Sequence, residues 1–329
     1  VEFKVEDTSE IQKVEMKDNF TRSAISTTDI TTGKEIIGAT LQIKDKDGNV
    51  VHEWVTDGKP HRIEYLPIDT TFILHEEYVA DGYVHAEDIE FTVKETGEIQ
   101  KVNMKDDYTR TIISKIDKET GELLTGADLQ LYYVAKDKAD VKNDSDPLAK
   151  YDLVDEWKSG NEPKLFERLK VGKYILHEKK APYGYETAQD ITFEIVETEK
   201  PLKITMEDIK IRSYVKIKKV DEDNHDKVLK GVEFTLYTDK DCTKPLMTKT
   251  TNDNGEIIFE NLTYQTLYVK ETKAAAGYQL SNEVVKIVIN DEWLKSDKTL
   301  VFGNKLIPSV STGDNTALPL TLGLFMLSG

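Results

Sequence analysis

Apolar and polar residues alternate along most of the chain in short runs, closed off by Gly, Asp, Asn or Pro. ATLQIKD (39–45), KYILHEK (173–179), ITFEIVE (191–197) and VVKIVIN (284–290) are representative. A period of two in runs rich in β-branched and aromatic residues predicts strands with one buried face. Helical periodicity is not sustained over any long window, so the chain reads as all-β.

The pattern also repeats on a larger scale. VEMKD (14–18), VNMKD (102–106) and ITMED (204–208), with a looser VFGN (301–304), close successive stretches. An E-x₅-G-Y element spans Glu76 to Tyr83, Glu178 to Tyr185 and Glu271 to Tyr278. A strand-like opening runs into an acidic turn at 25–33, 113–121 and 217–226. A period of roughly 90–100 residues is too long for a solenoid unit and suits tandem small domains. The predicted repeats are 23–110, 111–212 and 213–306, each a β-sandwich of roughly seven or more strands. Residues 1–22 match only the end of a repeat (compare 91–110), so the natural protein is expected to extend upstream. The polar stretch at about 136–150 reads as a long hairpin loop. Residues 307–329 turn from a polar segment to an apolar run shorter than the about 20 residues a bilayer needs, and the run is expected to be a truncated span.

Strand geometry selects which side chains look inward. Ile113 and Lys115 share a face, as do Val215, Ile217 and Lys219. Tyr174, Leu176 and Glu178 lie together, and so do Leu267, Val269 and Glu271. In the closing strands Met206 aligns with Asp208, and Phe302 with Asn304. The second and third repeats thus each direct one Lys, one Glu and one Asp or Asn into an apolar interior.

Burying an ionised Lys costs several kcal/mol. A buried salt bridge, or strand-end side chains curling out to water, would be the plain reading for one domain. Recurrence at matched positions favours chemistry. Desolvation lowers the pKa of Lys and raises that of Glu; a neutral amine is a nucleophile, and a protonated Glu can donate to the carbonyl under attack. Lys115 would condense with Asp208 and lose water, and Lys219 with Asn304 and lose ammonia. The first repeat differs, because Thr27 takes the place of the lysine while Glu76 and Asp106 remain. A hydroxyl is the weaker nucleophile, so no amide is expected there; an ester from Thr27 is the lesser alternative.

These residues resemble the Cna B-type repeats of Gram-positive collagen-binding adhesins and pilins. The matching motifs are KID (115–117) and KVD (219–221), EKKAPYGY (178–185) and ETKAAAGY (271–278, lacking the Pro), and the closing M-x-D or F-x-N. The resemblance implies tandem Ig-like or prealbumin-like sandwiches with spontaneous isopeptide bonds, Lys115 to Asp208 and Lys219 to Asn304, assisted by Glu178 and Glu271. SVSTGDNT (309–316) is similar to a degenerate LPXTG sorting signal, with Thr312 and Gly313 at the cleavage position. That implies sortase and peptidoglycan as partners and an extracellular, cell-wall-anchored location. A stalk in a surface adhesin is the function it implies first. A module binding a host protein or glycan, or a pilin subunit (no YPK-like motif is present), are the alternatives.

Composition narrows the rest. A formal charge of −17 argues against nucleic acid and anionic membrane as partners. Cys242 is the single cysteine, which excludes an intramolecular disulfide. The six His are scattered, and none pairs with Cys or another His at ligand spacing. The acidic run DEDNHD (221–226) lacks the glycine and terminal Glu of an EF-hand loop and reads as a solvated turn. Glu76 and Glu77 are adjacent on a strand and face opposite ways, so they cannot flank one glycosidic bond. No phosphate loop, nucleophile elbow or zinc motif occurs. No cofactor or metal and no turnover of an external substrate is expected.

Overall fold

The computed structural model describes residues 2–15, 20–135 and 148–308. Thr312 and Gly313 lie outside these residues, as do most of the 136–150 insertion and part of the VEMKD segment. The chain forms two compact units, residues 1–209 and 210–329, the first containing two domains.

The first domain comprises β1 (Arg22–Asp29), β2 (Ile37–Lys44), β3 (Val50–Asp57), β4 (His61–Glu64), β5 (Thr71–Tyr78), β6 (Tyr83–Val84), β7 (Ile89–Thr92) and β8 (Ile99–Tyr108). Its sheets run β4-β1-β8-β6 and β3-β2-β5-β7. The second comprises β9 (Arg110–Asp117), β10 (Asp128–Val134), β11 (Asp152–Lys158), β12 (Lys164–Glu167), β13 (Gly172–Lys180), β14 (Ile191–Ile195) and β15 (Leu202–Asp208). Here the sheets are β12-β9-β15 and β11-β10-β13-β14. The third, in the second unit, comprises β16 (Ser213–Asp221), β17 (Glu233–Tyr237), β18 (Pro245–Thr250), β19 (Glu256–Leu262), β20 (Gln265–Lys273), β21 (Val284–Ile289), a one-turn helix α1 (Asp291–Lys295) and β22 (Thr299–Asn304). It repeats the arrangement as β19-β16-β22 and β18-β17-β20-β21. The helix is capped by the Asn290 side chain, which accepts from the Trp293 N–H at 2.9 Å.

In every domain the opening strand pairs in parallel with the closing one: β1 with β8, β9 with β15 and β16 with β22. Parallel neighbours need a long crossover, and the whole remainder of the domain supplies it. Residues 2–15 carry no strand, although they match a closing segment in sequence. Each closing strand described is held by its own opening strand, and among the described residues none pairs with residues 2–15.

Alternation places the cores as expected. Leu41, Leu74 and Met104 fill the first domain, Leu129, Leu176 and Met206 the second, and Phe234, Val269 and Phe302 the third. Each such side chain contributes roughly 1.5–3 kcal/mol of transfer free energy. A β-bulge recurs where the second strand meets the strand carrying the buried Glu: between Thr40 and Leu41, Asp128 and Leu129, and Glu233 and Phe234. The irregularity follows Gly38, Gly126 and Gly231, which adopt φ of 94°, 93° and 75°. Bulges re-aim side chains, and these sit beside the pairings Leu41–Glu76, Leu129–Glu178 and Phe234–Glu271.

Candidate crosslink sites

Parallel pairing fixes a common register at the three sites. Thr27 lies opposite Met104, Lys115 opposite Met206 and Lys219 opposite Phe302. Asp106, Asp208 and Asn304 follow two residues later, on the same face. The first-strand side chain therefore reaches its partner diagonally along the sheet, and the Glu descends on both from the opposing sheet.

In the second domain, Lys115, Glu178 and Asp208 are at most 3% exposed. Lys115 Nζ donates to Asp208 Oδ1 and lies 2.8 Å from Glu178 Oε1. The other Glu178 oxygen accepts from the Ala188 N–H at 2.6 Å, which fixes the carboxyl. Burial pushes the Asp208 carboxyl up to about 6; Lys115 pulls it down and Glu178 pushes it up again.

The third domain is the sharper case. Lys219 is 0% exposed, with its nitrogen 5.7 and 5.9 Å from the ring centres of Phe234 and Phe302. Burial holds its pKa below the ordinary lysine value, against the opposing pull of Glu271. Its nitrogen donates to Asn304 Oδ1 and, at 3.0 Å, to the Gly303 carbonyl. Glu271 touches both side chains: Oε2 lies 2.9 Å from Lys219 Nζ, and Oε1 accepts from Asn304 Nδ2 at 2.7 Å.

The first domain keeps the frame without the amine. Thr27 Oγ1 donates to Asp106 Oδ1 at 2.9 Å, and Glu76 Oε2 accepts from the Ala86 N–H at 3.1 Å. Glu76 Oε1 and Asp106 Oδ2 are buried and face no donor. Burial, then the Asp106 charge, pushes Glu76 up to about 8; burial also raises Asp106. Both carboxyls are thus biased toward the protonated form where the other domains place a lysine nitrogen.

Sequence reasoning did not assign the Asp of K-x-D or the Tyr of G-Y. Asp29, Asp117 and Asp221 are each 3% exposed and do two jobs. One oxygen accepts N–H groups of the turn after the opening strand: Thr31 and Thr32, Glu119 and Thr120, Asp223 and Asn224. The other accepts the hydroxyl of Tyr83 (3.1 Å), Tyr185 (2.8 Å) or Tyr278 (2.8 Å). The preceding Gly82, Gly184 and Gly277 adopt φ of 85–87°, a left-handed turn that swings the ring back toward the Asp. The run at 221–226 is thus a turn organised by a buried Asp. The signal was present in the repeat of K-x-D and G-Y, but only the fold brings the two together.

Asp29 also joins the first two domains. Arg168 Nε donates to Asp29 Oδ2 at 2.8 Å, and the guanidinium lies 3.8 Å above the Tyr108 ring. Burial raises the Asp29 pKa, but the Thr32 and Thr31 N–H groups and Arg168 outweigh it and bring it to about 2. Gly82 makes the close approach possible, since a Cβ there would fall 2.3 Å from the Arg168 carbonyl oxygen.

The SpaA prealbumin-like fold domain family matches residues 22–108, 109–210 and 213–301. No curated protein matches the chain. Among solved structures the chain is similar to the Bacillus anthracis TIE protein, at 23% identity and a TM-score of 0.57, over 88% of this chain and 51% of that one. It therefore spans about half the length of that protein. BcpA, the major pilin subunit of Bacillus cereus, aligns at 17% identity and a TM-score of 0.48, over 88% of this chain and 100% of its own. The full-length major pilin SpaD from Corynebacterium diphtheriae aligns at 15% identity and a TM-score of 0.35, over 90% of this chain and 100% of its own. At these identities the likeness is one of fold. With three successive family matches spanning most of the chain, each on a sandwich closed by parallel first and last strands, the chain belongs to the SpaA prealbumin-like fold domain family.

Proposed function

We propose that this chain is a stalk segment of a Gram-positive, cell-wall-anchored surface adhesin, stiffened by amides between Lys115 and Asp208 and between Lys219 and Asn304. The observation that carries this reading is the dry contact of each amine with both a Glu and its Asp or Asn across parallel terminal strands. In the third domain the neutral Lys219 amine attacks Asn304 Cγ. Glu271 accepts a proton from Nζ and delivers one to Nδ2, the Cγ–Nδ2 bond breaks, and ammonia leaves. In the second domain a proton passes from Lys115 Nζ to the Asp208 carboxyl, and the resulting neutral amine attacks the carboxyl carbon. Glu178 relays the amine proton to the departing oxygen, and water leaves. Each reaction occurs once and regenerates the Glu. Attachment through sortase to peptidoglycan rests on the sequence around Thr312 and Gly313.

The mechanical consequence follows from topology. Tension enters β9 at its N-terminal end and leaves β15 at its C-terminal end. A bond from Lys115 to Asp208, 93 positions apart, carries that load across adjacent strands, and the chain between them stays out of the force path. The equivalent separation in the third domain is 85 positions. By the loop-entropy relation, closing rings of this size is worth about 4–5 kcal/mol.

Pulling the chain from both ends in a single-molecule force experiment tests the function. The first domain should release about 300 Å of contour length, and the second and third none. Release from all three would refute the stalk mechanism.

A further inference from the structure

Strand register puts three different residue pairs at one equivalent place. His52, Asp155 and Met247 lie opposite Ile43, Leu131 and Leu236 in one sheet. His61, Lys164 and Ile257 lie opposite Ile25, Ile113 and Ile217 in the other. Each pair therefore faces across the open side of a sandwich, from the edge strand of one sheet to that of the other. In the third domain the pair is apolar and belongs to the core. In the second it is an ion pair, Lys164 to Asp155. In the first domain the ring nitrogens of His52 and His61 meet Nε2 to Nε2 at 2.8 Å, although nine residues separate them.

We propose that His52 and His61 form a two-histidine site for a borderline divalent cation such as Zn²⁺, Cu²⁺ or Ni²⁺, which clips together the two sheets of the first domain. Metal–imidazole bonds of about 2.0–2.1 Å put two ligand nitrogens about 2.9 Å apart at a right angle and about 3.3 Å apart in a tetrahedron. The rings need to part by only a few tenths of an ångström. Trp54 stacks on His61 at 4.4 Å and 10°, which fixes that ring. Both histidines are half-buried, so an ion can enter and complete its coordination with water. Burial, and then the neighbouring His52, hold the His61 pKa below the ordinary value, despite the opposing charge of Asp57. A neutral imidazole is the ligand form at neutral pH. Neither sister domain can chelate here, since Lys164 is a cation and Ile257 has no donor. The pair occurs in the domain where Thr27 replaces the crosslinking lysine, so a reversible clip sits where a covalent one is missing. Binding to the folded state alone would make this domain's stability follow the free ion concentration.

Titration of the untagged full chain with ZnCl₂, followed by calorimetry and imidazole NMR, tests the site. One ion per chain, with shifts at His52 and His61 and a raised first-domain melting transition, is the expected result. The double variant His52→Asp/His61→Lys, which imports the ion pair of the second domain, should bind at least about tenfold more weakly. His52→Gln, which keeps a hydrogen-bonding group toward His61, should lose the response as well. The proposal fails if the wild-type chain does not respond. It fails equally if the variants respond as the wild type does, which would place the ion at His75, His85, His177 or His225.

Discussion

Lys115 and Asp208 sit on adjacent parallel strands, displaced by two positions in register, so the lysine passes diagonally over Met206 to reach the carboxyl. Lys219 passes over Phe302 to Asn304 in the same way. Met206 and Phe302 are buried to within a few per cent and screen one side of each pair from water. The diagonal explains why the closing motif is M-x-D or F-x-N: the apolar residue occupies the register position, and the reactive group comes one pleat later.

Removing the proton relay should stop the chemistry while leaving the reacting pair in place. Glu271→Gln should retain the third-domain ammonia, and Glu178→Gln the second-domain water, leaving each about 17 or 18 Da heavier than the crosslinked form of the same variant. Loss of a ring closure costs about 4–5 kcal/mol, so the corresponding melting transition should fall by several degrees or more. Intact mass and calorimetry read both effects.

Thr27→Lys should install a third crosslink. Thr27 shares the register of Lys115 and Lys219, and Glu76 and Asp106 already occupy the relay and acceptor positions. The expected product has lost one further water, about 18 Da, and gives a crosslinked peptide joining residues 27 and 106 on digestion. An unreacted lysine in a folded domain would show that more than these three positions is required.

The carboxyl pair should make the first domain weaken as the solution turns alkaline. Glu76, raised to about 8 in the folded state, binds more protons there than in the unfolded chain, where an ordinary Glu titrates near 4.3. Its contribution is therefore complete below about pH 4 and is lost as pH rises toward 8, an effect on the order of a few kcal/mol. Melting of the first domain across pH 4–9 should show the decline, and Glu76→Gln should flatten it.

Arg168→Ala should loosen the joint between the first two domains. Asp29 would keep its turn N–H groups and Tyr83 but lose the Arg168 guanidinium. A charge-assisted bond of this kind is worth about 1.5–3 kcal/mol. The Asp29 contribution, from a folded pKa near 2, is present above about pH 4 and is lost as pH falls toward 2. Hydrogen exchange at the Thr109 amide, which donates to the Gly82 carbonyl, should rise in the variant.

Much of this was legible in the sequence because one face of each strand is dry. Alternation alone placed Lys115, Glu178 and Asp208 inward, and likewise Lys219, Glu271 and Asn304. It could not supply partners between distant strands. The tyrosine at Tyr185 and the aspartate at Asp117 are far apart in sequence, and nothing in a period-two pattern says that one hydroxyl closes on the other carboxyl. His52 and His61 were missed for a related reason. Their spacing matches no helix or loop motif, and they meet only because the chain crosses from the edge of one sheet to the edge of the other between them.

The intact mass of the purified chain bears most directly on the amides. Formation of both lowers it by about 35 Da from the sequence value, one water and one ammonia, with fragment ions joining Lys115 to Asp208 and Lys219 to Asn304. A folded chain at its full sequence mass would contradict the account.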